Sequence, residues 1–160
     1  MYIGKDVYYL TAGDIKFSDL PIKINTTLGS CMAITVWNPK AHKGGMCHFL
    51  LPYTLEDDNK KPDLYYGIHA VNIMKEKMTR DASMQDYEVG VYGGGSLFFS
   101  SSQTRDVAGK NIHLVFDWVE ENKLNVVDQS VGGDECRTLV FDLATGNVDL
   151  RLHSPKNVQS

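Results

Sequence analysis

Short runs of apolar and polar residues, rather than one long periodicity, organise this chain. Met32-Ala33-Ile34-Thr35-Val36-Trp37 is apolar and β-branched and reads as a strand. Asn38-Pro39-Lys40-Ala41 is a turn signal with Pro at the second turn position. Residues 46–51 form a second apolar run, closed by Pro52. Two such strands around a short loop predict an antiparallel hairpin. With the turn centred between Pro39 and Lys40, Cys31 and His48 fall opposite each other. Directly opposed side chains have Cβ atoms about 4.5–5.5 Å apart on one face. A one-residue slip, such as a bulge at Gly44-Gly45, turns one of the two to the other face.

The remaining pattern fills in around this hairpin. Residues 1–10 read as an extended, Tyr-rich lead-in, and 11–14 as a turn. The segment 15–20 is ambiguous. Ile22 and Ile24 alternate with Lys23 and Asn25, as in a half-buried strand leading into a polar, glycine-containing turn at 25–31. Residues 53–64 are polar and read as a solvated loop, or as a flap over a nearby site. Residues 65–81 predict a helix with Ile68, Val71, Met74 and Met78 on one face. A strand at 87–92 ends at Gly93-Gly94-Gly95, whose glycines let backbone approach the Cys31 loop. After a loop at 100–103, residues 104–122 predict a second helix with Ile112, Val115, Phe116 and Val119 inward, starting as late as Gly109 if that glycine breaks it. Strands follow at 124–131, 136–142 and 148–152, with a hairpin turn at 144–147 and a frayed tail from 154. The expected fold class is α+β: about seven or eight strands, largely antiparallel, with two helices covering a sheet face.

Composition narrows the function classes. At 160 residues the chain is expected to be one domain, 1–160. A net charge of −4 argues against a nucleic-acid surface. No apolar run approaches the roughly 20 residues of a membrane span, and the start of the chain lacks a signal-peptide pattern. A soluble, cytoplasmic protein without direct membrane insertion is expected. Three cysteines without a framework spacing fit a reducing compartment.

Cys31 and His48 carry the candidate chemistry. A free thiol has a pKa of about 8.5, and a neighbouring imidazolium lowers it toward a thiolate. His48 can then act as base and return the proton to a leaving amine. Gly29 and Ser30 leave the backbone unhindered, so N–H groups there or at Cys31 can hold an oxyanion. Thr26 or Thr27 can orient the imidazole or the substrate. The set suits acyl transfer through a thioester. Against it stands the plainer reading of a strand cysteine as a small buried hydrophobe. A metal site from Cys31, Cys47, His48 and Cys136 is disfavoured: Cys47 and His48 are neighbours in a strand and point to opposite faces, and no CxxC pair exists. No metal is expected.

Four separated blocks carry a resemblance. Leu28-Gly29-Ser30-Cys31, the segment 44–52 with His48 and its Leu-Pro end, Tyr92-Gly93-Gly94-Gly95-Ser96-Leu97-Phe98, and Gly132-Gly133 followed by Arg137 resemble, in order and spacing, signatures of the CheD family. Thr145-Gly146 matches a late hairpin of that family, so the resemblance covers about residues 10–152. It implies a layered α/β arrangement around a β-sandwich, akin to the catalytic domain of cytotoxic necrotizing factor. It implies a protein-glutamine glutaminase, or deamidase, of bacterial chemotaxis without a cofactor. Cys31 would be the nucleophile, His48 the base and Thr26 the supporting threonine. The substrates would be glutamines on cytoplasmic helices of methyl-accepting chemotaxis receptors, and a CheC-type phosphatase is a further implied partner. The enzyme would be cytoplasmic and recruited to receptor arrays. Asp134 stands where the family commonly has Asn, and Cys47 where small or polar residues are usual. Leu97 and Phe98 are candidate partner-binding residues. The competing function is a CheD-like regulatory binding module with little catalysis.

Overall fold

The computed structural model describes residues 1–52, 63–96 and 102–154, with side chains in the second helix described from residue 106. Nine strands and two α-helices are present among them. The strands are β1 (Val7–Tyr9), β2 (Asp14–Ser18), β3 (Lys23–Leu28), β4 (Met32–Asn38) and β5 (Lys43–Phe49), followed by helix α1 (Gly67–Met78). Then come β6 (Glu88–Gly93), helix α2 (Ser102–Glu121), β7 (Asn125–Val131), β8 (Cys136–Asp142) and β9 (Asn147–His153).

They form a four-stranded sheet in the order β1-β3-β8-β9 and a five-stranded sheet in the order β2-β5-β4-β6-β7. Pairing is largely antiparallel, as expected, but β1–β3 and β6–β7 are parallel. The fold is thus mixed α+β, and the ambiguous segment 15–20 resolves into an edge strand.

β4 explains the layering. All seven of its residues are buried, and a strand buried on both faces reads as a continuous apolar run. Met32, Ile34 and Val36 face one way, into a core shared with Cys47 and Phe49 of β5, Met74 and Met78 of α1, and Val115 and Trp118 of α2. Ala33 and Trp37 face the other way, into a core with Ile24 and Leu28 of β3 and Leu139 and Phe141 of β8. The layers are therefore the four-stranded sheet, the five-stranded sheet, and the helices.

Several sequence expectations shift. The hairpin loop comprises residues 39–42, because Asn38 pairs with Lys43. Asn38 Oδ1 accepts the N–H groups of Lys40 and Ala41 at 3.1 Å each, and His42 adopts φ 50°. The polar side chain closes its own turn, so the turn sits later than the proline suggested. Gly44 and Gly45 are then strand residues of β5. A Cβ at Gly45 would strike the Phe17 ring and the Lys16 carbonyl of β2, so glycine permits the close approach.

β3 runs on through Thr27 and Leu28, and the expected turn is reduced to the residues after it. Ile68 is not on the inner face of α1: it is 43% exposed, while Ala70, Val71, Met74 and Met78 are buried. α2 includes Ser102 and Gln103 and continues through Gly109 without a break.

Candidate active site

The chain crosses from the four-stranded to the five-stranded sheet between Leu28 and Met32. Cys31 stands at the end of that crossing, half-buried against the core between the sheets. The crossing is pinned from behind. Gly95 N–H donates to the Gly29 carbonyl at 3.0 Å, and Gly94 N–H to the Cys31 carbonyl at 2.9 Å. Gly93, at φ 115°, has no room for a Cβ because the Cys31 carbonyl occupies that position. The expected role of the 93–95 glycines, close backbone approach to the Cys31 loop, is what the structure contains.

His48 is not directly opposite Cys31. Its ladder partner is Ala33, two residues further along β4. The longer loop causes this shift. Because strand side chains alternate with a period of two, the two-residue shift leaves Cys31, Ala33 and His48 on one face. Cys31 is thus a diagonal neighbour of His48 rather than a facing one, at a backbone spacing of about 7–8 Å for such pairs.

The imidazole bridges the sheets. His48 Nδ1 lies 2.8 Å from Thr26 Oγ1 on β3, and Thr26 Oγ1 donates to the Leu10 carbonyl at 2.7 Å. A threonine hydroxyl has one proton. With that proton on the Leu10 carbonyl, Nδ1 must carry the proton of the other bond. Nε2 is then the free lone pair, and it is buried with no hydrogen-bond partner among the described residues. Thr26 is fully buried, whereas Thr27 is exposed on the opposite face of β3. The strand is held by Gly13 N–H donating to the His48 carbonyl at 2.8 Å, and Leu10 N–H donates to the Asn25 carbonyl at 2.8 Å.

Burial acts against the charged forms of the expected thiolate–imidazolium pair. Burial pushes His48 down to about 4, against a smaller opposing pull from the Leu10 carbonyl. Burial pushes the Cys31 thiol up, while its own backbone N–H, turned toward the sulfur, pulls the other way. Burial thus favours the neutral form of each group. Cys47 is fully buried on the helix face of β5, its thiol raised to about 12 by burial. Cys136 is buried on β8, in register with His153. Among the described residues, no group of three or more His, Cys, Asp or Glu side chains is placed to hold a metal ion.

Leu97 and Phe98, with Phe99, lie outside the described residues, as do 53–62 of the expected loop or flap and 155–160 of the tail. Two contributors received no role from the sequence. The Leu10 carbonyl is a backbone group with no residue signature. Arg137 did have a signal: alternation along β8 puts it on the inner face with Leu139 and Phe141, where a charge is out of place.

Together these features define a two-sheet, two-helix α+β protein with a threonine-held imidazole and a cysteine at the crossing between sheets. The chain belongs to the CheD family. The model of that family, described as CheD chemotactic sensory transduction, matches residues 50–152, beginning just past His48. Relatives extend the likeness over the site itself. A Pseudomonas syringae pv. tomato protein is 36% identical over 98% of this chain and 94% of its own. One from Pseudomonas fluorescens is 34% identical over 96% of this chain and 88% of its own, and one from Methanococcus vannielii 34% over 87% and 90%. Each bears the name "Probable chemoreceptor glutamine deamidase CheD". No described helix is long and apolar enough to cross a membrane.

Proposed function

We propose that this chain deamidates glutamine side chains of methyl-accepting chemotaxis receptors, with Cys31 as nucleophile, His48 as base and acid, and Thr26 as the residue that orients His48. One observation carries the mechanism: the Leu10–Thr26–His48 relay, which leaves the Nε2 lone pair unpartnered in a buried position on the Cys31 face. Family membership and the names of the relatives support the substrate class.

The neutral pair defines how the first step runs. Nε2 takes the Cys31 proton as sulfur attacks the glutamine amide carbon, so no standing thiolate is needed. The tetrahedral oxyanion accepts hydrogen bonds from backbone N–H groups at Cys31 and Ser30, with Gly29 leaving the approach open. The amide nitrogen takes the proton from His48 and leaves as ammonia, giving a thioester on Cys31. His48 then draws a proton from water as it attacks, and the thioester breaks to free glutamate and the thiol. The balance is one glutamine and one water in, one glutamate and one ammonia out. A neutral side chain becomes an anion, which changes the charge of the receptor bundle. The working location in this reading is the cytoplasmic receptor array, where a CheC-type phosphatase would compete for the same protein.

The test is peptide mass spectrometry of a receptor cytoplasmic fragment incubated with the protein or with Cys31→Ala. The expected result is the amide-to-acid mass gain at particular glutamines with the first and none with the second. No gain on any of several receptors, together with binding to them, would replace this reading by that of a regulatory binding module.

A further inference from the structure

Arg137 is a charged residue where the fold wants an apolar one. It pairs in register with Leu28, the last residue of β3 before the crossing to Cys31, and it is only 5% exposed. A buried guanidinium stays protonated and must have its N–H groups satisfied. Nε donates to Ser130 Oγ at 3.0 Å, Nη2 to the Gly132 carbonyl at 2.7 Å, and Nη1 to the Glu135 carbonyl at 3.3 Å. Gly132 and Glu135 lie on the turn between β7 and β8, and Ser130 stands near the end of β7 that leads into it. That turn runs through Gly132 and Gly133 at φ 75° and 71°, left-handed conformations that glycine adopts readily.

The fastened turn holds the next layer. Gly132 N–H donates to the Gly93 carbonyl at 2.9 Å, and Ser96 N–H to the Gly133 carbonyl at 2.7 Å. Gly94 and Gly95, between those contacts, hold the carbonyls of Cys31 and Gly29. Backbone segments joined by hydrogen bonds therefore link the guanidinium to the loop that presents the sulfur.

We propose that Arg137 is a positioning residue for the Cys31 loop, acting through residues 130–135, the end of β7 and the turn after it, and the 93–96 glycine segment. Only a planar fork reaches three divergent acceptors; an ammonium is a single point with a different reach. Displacing reacting groups by about 1 Å can cost roughly 100-fold in rate, so a small slackening of this path is enough to matter. The kinetic part of the proposal rests on the deamidase reading; the structural part does not.

The experiment compares wild type, Arg137→Lys and the milder Ser130→Ala, which removes one acceptor and keeps the charge. Amide hydrogen exchange is followed at Gly94 and Gly95, with Leu10 and Gly13, which brace the His48 side, as internal references. In both variants, Gly94 and Gly95 are expected to exchange faster by about tenfold or more while Leu10 and Gly13 keep their protection. On a receptor fragment, kcat is expected to fall by about tenfold in Arg137→Lys with KM little changed. Even loosening of all four amides, unchanged Gly94 and Gly95, or an unchanged kcat with those two amides loosened would each overturn the proposal. If wild type deamidates no receptor, the function reading fails and the exchange data alone decide for or against Arg137. If Arg137→Lys does not fold, Ser130→Ala decides.

Discussion

At the scale of single residues, the hydroxyl of Thr26 does two things at once. It satisfies Nδ1 of a buried imidazole and thereby selects the tautomer with a free Nε2. Thr26→Val should cost about 1–3 kcal/mol, the penalty for leaving a buried donor unpaired, and should lower kcat by more than it changes KM. Thr26→Ser should restore most of both. Thr27→Val, on the exposed face, should leave turnover unchanged. Urea denaturation paired with steady-state rates checks all three.

His48 also writes a pH signature. Its folded value of about 4 lies below the ordinary 6.5. The unfolded chain therefore binds the proton first, and stability must fall as pH drops from 6.5 toward 4. Between pH 7 and 5 the loss is roughly 2 kcal/mol. The contribution is fully present above pH 6.5. Urea midpoints for wild type and His48→Gln at the two pH values should show this component only in wild type; equal slopes would deny that His48 is buried neutral.

At the scale of elements, what could be read in advance divides by the range of the forces involved. The β4–β5 hairpin was legible because both strands are apolar runs around a turn residue. Its register was not, because Asn38 folds its own side chain over the loop, a local choice that Pro39 masks. The shift came in twos, so the face shared by Cys31 and His48 survived it. Resemblance favours Thr26 over Thr27, and β3 alternation turns Thr26 inward and Thr27 outward. The expected helix faces hold except at Ile68: Val71, Met74 and Met78 of α1, and Val115 of α2 with Ile112, Phe116 and Val119, pack into one core. Among the described residues of α2, Ala108, Asn111, Val115 and Trp118 are the most buried, and polar Asn111 interrupts the apolar stripe. Its Nδ2 donates to the Leu50 carbonyl at 3.0 Å, tying the helix to the chain just beyond the His48 strand.

Gly109 was a reason to start α2 late, yet it is exposed in mid-helix with nothing near the position of a Cβ. Gly109→Ala should therefore stabilise the protein by about 0.5–1 kcal/mol, raising Tm with activity unchanged. A lower Tm would mean the position carries a constraint that the open space around it does not explain.

At the scale of the molecule, the proposed site lies where two sheets meet. β3 of one sheet supplies Thr26, β5 of the other supplies His48, and Cys31 sits on the strap that joins them. This arrangement was not readable from local pattern, since it depends on which strands share a sheet. β3 and β4 are consecutive in sequence yet lie in different sheets, and the glycine turns at 93–95 and 132–133 lock the strap from the far side. The five-stranded sheet turns the thiol and the imidazole to a common face, and the four-stranded sheet supplies the hydroxyl that holds the imidazole there.

The most direct test of this account is to catch the bond it requires. Enzyme and receptor fragment are mixed, quenched in acid within the first turnover, and weighed intact, with the adduct mapped by peptide mass. The account predicts a conjugate weighing the sum of the two chains less one ammonia, attached at Cys31 and released by hydroxylamine, with none formed by Cys31→Ala. A conjugate on another residue, or glutamine conversion by Cys31→Ala at the wild-type rate, would contradict it.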